Sequence, residues 1–185
     1  MNPPFTQESP RPKTKRLFFA LWPEEGLQQQ LHELAGQALK ANAGRCVVAE
    51  NIHLTLAFLG SVTVPDQVRY EQVASRVQGK IFTLTLDELG CFRRSGILWV
   101  GPSQIPAELL VLVRDLNQAL QACGFTPESR DYRAHLTLAR NVRRCPDRAS
   151  VVSPLSWEVR HFALVQSHTE NNGSTYEILR RWELV

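Results

Sequence analysis

Two histidines of this chain sit in the same four-residue word: His53-Leu54-Thr55-Leu56 recurs as His135-Leu136-Thr137-Leu138. From the His, Thr and Leu content, chance gives about 0.005 copies of such a word, so two copies point to two related halves. In a strand, residues i and i+2 share a face. His53 and Thr55 then point one way while Leu54 and Leu56 point the other, and the second word repeats this. If the two strands hold equivalent places in two lobes, the pairs face each other across a groove. That groove holds two imidazoles, two hydroxyls and no carboxylate from either motif. Imidazole titrates near pH 6.5, so one ring can carry a proton while the other lacks one. Such a pair supplies a general acid and a general base, each worth about 10²–10⁴ in rate. Hydroxyls donate to a developing oxyanion, where one donor is worth roughly 3–4 kcal/mol. A phosphodiester attacked by water calls for this set. The base activates water, the acid protonates the leaving oxygen, and hydroxyls with a nearby Arg hold the phosphoryl oxygens. The spacing does not say which imidazole plays which part.

Metal binding is the rival use of paired histidines. Two neutral imidazoles make a poor site, because structural zinc takes four ligands and catalytic zinc usually three. Two-metal phosphoesterases also need bridging carboxylates, and neither motif has one. No metal is therefore expected. His32, His161 and His168 lack such a context and read as structural or surface residues. Cys46, Cys91, Cys123 and Cys145 show no C-x-x-C spacing and read as small apolar residues in a reducing cytosol. A net charge of +3 tolerates a polyanionic partner without demanding one. Arg130, Arg133, Arg140, Arg143 and Arg144 surround the second motif. Taken alone, such a run is a solvated face.

The elements that must position these residues follow from periodicity. Residues 1–15 carry Pro and basic residues but no apolar h-region, and read as a flexible tail rather than a signal peptide. Apolar runs such as "LFFALW" are too short to span a bilayer, so the expected location is the cytoplasm, off the membrane. Residues 16–22 read as a buried strand. Pro23 and Glu24-Glu25 open a helix with Leu27, Leu31, Leu34, Ala35, Ala38 and Leu39 at helical spacing, ended by Gly44. A short strand is expected at 45–48 and a longer one at 53–59. A helix fits 66–78, with Val68, Val73 and Val77 inward. Segments 81–89 and 96–101 read as a hairpin. Pro106 opens a third helix with Leu109, Leu110, Val113, Leu116 and Leu120 as its stripe, closed by Gly124. Strand 135–140 follows, Pro146 to Pro154 reads as loop, and 155–167 with 174–184 form a last hairpin. The order favours an α+β fold, with small, mainly antiparallel sheets and helices on their outer faces. No linker separates the halves, so residues 16–185 form one bilobal domain with a central cleft.

The two words in their surroundings, "ENIHLTLAFLG" and "AHLTLAR", resemble the motifs of the two-histidine (2H) phosphoesterase superfamily. They are closest to its bacterial and archaeal RNA 2′,3′-cyclic phosphodiesterase branch, also called 2′-5′ RNA ligase-like. "RLFFAL", "LWVG" and "YEILRRWEL" fit that branch too, so the resemblance covers about residues 16–185. It implies two pseudo-symmetric α+β lobes around a cleft and no metal or organic cofactor. The implied reaction opens a terminal 2′,3′-cyclic phosphate of RNA to a 2′-phosphomonoester. The resemblance assigns His53 as proton donor and His135 as acceptor, Thr55 and Thr137 as phosphate ligands, and Arg140 as a further phosphate contact. Strict alternation turns Arg140 away from the face of His135, so its role requires a twist or a strand end. Ala134 stands where the branch often has Pro. Of the opening-strand aromatics Phe18 and Phe19, Phe19 is taken as a base-stacking contact. The expected partner is RNA and the expected state a monomer. Two readings compete with this one. One is another 2H enzyme, acting on 2′-5′ linkages or a cyclic ADP-ribose phosphate. The other is a non-catalytic RNA or nucleotide-binding module, which has no need of two proton-transfer groups. Ligation of 2′-5′ junctions is the reverse chemistry of the first.

Overall fold

The structure, a computed structural model, describes residues 13–39, 44–145, 150–170 and 173–185. Nine strands and three α-helices are found among them. They are β1 (Thr14–Leu21), α1 (Glu25–Leu39), β2 (Arg45–Cys46), β3 (Leu54–Thr63), α2 (Val64–Ala74), β4 (Phe82–Phe92), β5 (Ile97–Gly101), α3 (Ala107–Gln121), β6 (Leu136–Arg140), β7 (Ser150–Val159), β8 (His161–Glu170) and β9 (Gly173–Glu183). A single 3-10 turn, Ala49–Asn51, leads into β3. The tail's first twelve residues lie outside the described ones, and Thr14 and Lys15 already belong to β1.

The fold is α+β. Its strands run in the order β7-β4-β5-β6-β3-β1-β8-β9, with β2 paired to β6, and every pairing is antiparallel. That order is symmetric about its middle. Each half contributes a strand, a helix and then a motif strand: β1-α1-β3 on one side, β5-α3-β6 on the other. The motif strands β3 and β6 are the two central neighbours, and they pair through one residue from each motif, Leu54 with Leu136. The two lobes therefore share one sheet, hinged on a single pair.

The sheet is also closed from the far side. A single residue, Arg160, separates β7 from β8. In the sheet order six steps lie between them, which would be about 29 Å at 4.8 Å per strand if the sheet were flat. A one-residue link forbids that distance, so the sheet curls around one large core. This core takes Leu54, Leu56, Leu136 and Leu138 from the motif strands. To these it adds Leu31 and Ala35 of α1, Leu109, Leu112 and Leu116 of α3, and Trp157 and Phe162 from either side of the link. β1 is buried on both faces. Leu17, Phe19 and Leu21 enter this core, while Phe18 and Ala20 form a second cluster with Ala163 and Val165. That two-sided burial is why its sequence is a continuous apolar run.

Several element boundaries differ from the sequence reading. Segment 155–167 is two strands, not one, because the chain changes lobes at Arg160. Residues 150–154, read as loop, extend β7 along β4. α2 starts earlier, at Val64. Thr63 caps it by accepting from the Asp66 N–H, and Pro65 sits in its first turn. With that start Val68 faces solvent, 49% exposed. In α3 the buried stripe takes Leu112, and Leu110 is 45% exposed.

The cysteine reading is corrected as well. Cys91 at the end of β4 is bonded to Cys145 beyond β6, while Cys46 and Cys123 are free. The bond closes a loop of 54 residues, and restricting the unfolded chain by that length contributes about 4 kcal/mol in the loop-entropy account. Reductant should therefore lower the urea midpoint of the wild type and leave that of a Cys91→Ser/Cys145→Ser variant unmoved. Equal midpoints with and without reductant in the wild type would refute the contribution.

Candidate active site

Leu54 and Leu136 point into the core, so the residues flanking them point to the opposite face of the sheet. Continuing the antiparallel register of that pair sets His53 opposite Thr137 and Thr55 opposite His135. All four line one cleft of about 1120 Å³, together with Arg45, Arg133 and Arg140. The volume exceeds that of a phosphate and suits a nucleotide-sized ligand.

Arg140 reaches this face through a β-bulge. Trp99 of β5 pairs with Thr137, but the next residue, Leu98, pairs with Ala139. Leu138 is therefore an extra residue, and two successive side chains, Leu138 and Ala139, turn inward. The bulge shifts the alternation by one and returns Arg140 to the side of His135 and Thr137. β3 does the same at the matching position: Thr55 pairs with Ala20 and Ala57 with Phe19, leaving Leu56 extra. The residue returned to the cleft there is Phe58, the counterpart of Arg140. It is 38% exposed, with the Arg16 guanidinium 4.7 Å from its ring centre.

Each imidazole is aimed by the backbone two residues upstream. His53 Nδ1 lies 2.7 Å from the Asn51 carbonyl oxygen, and His135 Nδ1 lies 2.9 Å from that of Arg133. A carbonyl only accepts, so both Nδ1 atoms carry hydrogen and both Nε2 atoms are left for chemistry. Asn51 is held in turn by its side-chain donation to the Ser174 carbonyl at 2.8 Å. Tyr132 donates to the Thr55 carbonyl at 3.1 Å, tying the approach to β6 onto β3. Burial raises the Tyr132 pKa and keeps it a neutral donor.

The surroundings of the two rings differ. His53 is boxed by aromatic rings, with Phe18 and Trp22 stacked on it at 4.8 and 5.0 Å and Tyr176 edge-on at 5.1 Å. This packing pushes its pKa down to about 4. Desolvation is the main cause; the Asn51 carbonyl opposes it, and the charges of Arg140 and His135 add to it. His135 has one aromatic neighbour, Phe92, edge-on at 5.0 Å. Its pKa is also lowered, first by burial and then by Arg133, Arg130 and Arg140, against the Arg133 carbonyl. Arg140 thus acts on both rings, and His135 on His53. Among the described residues no cluster of three or more His, Cys, Asp or Glu is placed to hold a metal.

A model of the 2′-5′ RNA ligase superfamily matches residues 23–171, most of the chain. The chain belongs to that superfamily. An RNA 2′,3′-cyclic phosphodiesterase of Escherichia coli is 32% identical over 170 residues, covering 92% of this chain and 97% of that protein. One from Archaeoglobus fulgidus is 30% identical over 177 residues, covering 91% and 99%. The crystal structure of Escherichia coli LigT complexed with 3′-AMP has a TM-score of 0.81 at 32% identity, covering 92% of this chain and 98% of that one.

Within this superfamily frame, the cleft gathers His53, His135, Thr55, Thr137 and Arg140 from the sequence-based set. It does not gather Phe19. That side chain is 0% exposed and packs on Phe162 and Trp182 in the core, so it cannot stack on a base. Its neighbour Phe18 faces the other way, as alternation requires, and walls His53. Sequence reasoning missed Phe58, Trp22, Asn51, Tyr132 and Tyr176. Phe58 could have been found, because the repeat runs one residue further, to Ala57 and Ala139, and aligns Phe58 with Arg140. Of the flanking arginines, Arg130 pairs with Glu128, and Arg133 lies over Trp99 at 4.5 Å and Phe92 at 5.2 Å. Arg143 and Arg144 are exposed outside the cleft lining. His32 bonds the Val47 carbonyl, His168 pairs with Glu177, and His161 lies apart; none enters the cleft.

The two depressed pKa values fix a sign. Unfolded, both histidines take up protons below about pH 6.5; folded, His53 resists until about pH 4. Between those values the unfolded chain binds more protons, so stability falls as pH falls. A His53→Gln variant should lose less stability between pH 6.5 and 4.5 than the wild type, measured by urea midpoints. NMR should show the wild-type His53 ring titrating near pH 4. A ring titrating at 6.5 would contradict the desolvated box.

Proposed function

We propose that this protein hydrolyses RNA terminal 2′,3′-cyclic phosphates to 2′-phosphomonoesters, without metal or organic cofactor. The observation that carries the reading is the pair of Nε2 atoms left free by matching Nδ1 bonds, on one face beside two threonines and Arg140. The substrate comes from the relatives' named activity. A monomer in the cytoplasm is part of the same proposal. No described helix is long and apolar enough to cross a membrane, while the Cys91–Cys145 bond is a feature commoner outside the cytosol.

In this reading His135 takes the proton of a water molecule as its oxygen attacks phosphorus. The bond from phosphorus to O3′ breaks, and His53 gives O3′ its proton. The 2′-oxygen keeps the phosphate. Thr55, Thr137 and Arg140 hold the non-bridging oxygens, where negative charge grows. Phe58 and Tyr176 supply ring faces for the base. His53 must be charged before it can act, and in the empty cleft it is neutral at pH 7. A phosphodiester anion supplies the missing attraction and offsets the Arg140 charge, so substrate brings a proton in with it. Joining of 2′-5′ ends would run the same proton transfers backward.

His53→Ala and His135→Ala should each lower kcat by about 10²–10⁴, and the double variant should fall far short of the product of the two losses. The rate should pass through a maximum with pH and be indifferent to EDTA. The assay is an oligoribonucleotide ending in a 2′,3′-cyclic phosphate, with the phosphate position of the product determined. A 3′-phosphate product, or full activity in either alanine variant, would overturn the proposal.

A further inference from the structure

We propose that the rim beyond His135 is a docking platform for the phosphodiesters of an RNA strand upstream of its cyclic end. This deepens the reading above and rests on it for the occupant of the cleft. The platform is made by two segments. One is the turn between β4 and β5 at residues 93–96, which carries Arg94. The other is the stretch after β6, which carries Arg143 and Arg144. All three side chains are exposed. Asn141, with φ of 57°, turns the chain out of β6, and the Val142 N–H then donates to the Gly96 carbonyl at 3.0 Å. Gly96 permits that approach. It has φ of +61°, and a Cβ there would lie 3.1 Å from the Val142 oxygen. The Cys91–Cys145 bond joins the two segments a second time. The arginines are thus set on a doubly fastened support rather than on two independent loops.

Charge and continuity identify the partner. Elsewhere the protein matches surface arginines with carboxylates: Arg69 with Asp66, Arg114 with Asp115, Arg180 with Glu71. Residues 88–101 contain one acid, Glu88, at their far end, and residues 132–145 contain none. The two segments and the strand ends beside them put Phe92, Ser95, Ile97 and Asn141 in the cleft lining next to Arg140. A polyanion with one phosphate between the histidines meets aromatic rings around His53 and guanidinium groups beyond His135. Guanidinium forks match phosphate oxygens, and such contacts position a strand without reading its sequence. The consequence is a preference for oligonucleotides over mononucleotides.

The test is equilibrium binding, which reads out with or without turnover. The probes are a 5′-fluorescein dodecaribonucleotide ending in a 3′-phosphate, followed by anisotropy, and 3′-AMP, followed by competition. Three phosphate contacts on a single strand give a salt slope of about 2. The wild type should therefore lose about fifteenfold more affinity for the dodecamer between 50 and 200 mM salt than Arg94→Gln/Arg143→Gln/Arg144→Gln does. That variant should bind 3′-AMP as the wild type does, and the matching triple Lys variant should keep the salt slope. The proposal is overturned if the Gln variant keeps wild-type affinity and slope for the dodecamer, or if it loses 3′-AMP to the same extent. Absence of turnover on a cyclic-phosphate end would remove the catalytic reading and leave this binding result standing by itself.

Discussion

Two leucines hold the molecule's halves in register. Leu54 and Leu136 are the one residue pair through which β3 and β6 meet, and both are fully buried. Antiparallel geometry then dictates the rest. A pair fixed on the core side fixes the flanking residues on the other side, so His53, Thr55, His135 and Thr137 gather on one face with no further instruction. A one-residue slip between β3 and β6 would send one His-Thr set into the core and its leucines into water. That alternative buries an imidazole against leucine, which makes the register hard to mistake. A single pair is a weak joint in isolation. The common core beneath both lobes and the one-residue crossing at Arg160 keep the halves from separating.

The same frame explains why Arg140 can work with His135 at all. Five residues along a regular strand would carry it to the wrong face. The extra residue Leu138 repairs the parity, and the extra residue Leu56 repeats the device in β3. Bulges at equivalent places in both lobes give each motif the same outward pattern: His, Thr, then one residue more. That last place is where the halves diverge, with a guanidinium in one and a phenyl ring in the other. A phosphate asks for the first and a base for the second, which is the placement that the proposed function uses.

What could be read beforehand follows from how local each signal is. The motif strands, the three helices and the first hairpin are written in periodicity and were legible to within a few residues, while the last hairpin reads with its first strand merged into β7. The gathering of His53 and His135 was legible only because the word is repeated. Most of the failures are non-local; the early start of α2, set by the Thr63 cap and Pro65, is a local one. Phe18 and Phe19 are adjacent and equally apolar; only the partners of β1 decide that Phe19 meets Trp182 and Phe18 meets His53. Residues 155–167 read as one β-rich run with no Gly or Pro at 160, so the change of lobe at Arg160 is hidden. Cys91 and Cys145 are far apart in sequence and are brought together by the return of the chain from Asn141 toward Gly96. The rings around His53 come from β1 and the residue just after it, Phe18 and Trp22, and from Tyr176 of β9, which no spacing rule connects.

Identical words in different surroundings are what a proton-transfer pair requires. Two equivalent imidazoles would share one affinity for protons, and neither role would be assigned. Here the backbone bonds are equal, from Asn51 to one ring and from Arg133 to the other, so the difference lies in what surrounds them. His53 is enclosed by rings that remove water and supply no countercharge. His135 is flanked by cations at a more open edge. Desolvation penalises a charged ring most when no anion is present, and relieves it most when one arrives. In the proposed reaction, the aromatic box makes the proton on His53 conditional on a bound phosphate. A residue that gains its proton only with substrate can give it up as that charge changes during reaction, which is what the proposed acid role of His53 needs. Burial first, and then the flanking arginines, lower the pKa of His135, so its ring starts without the extra proton that the proposed base must accept.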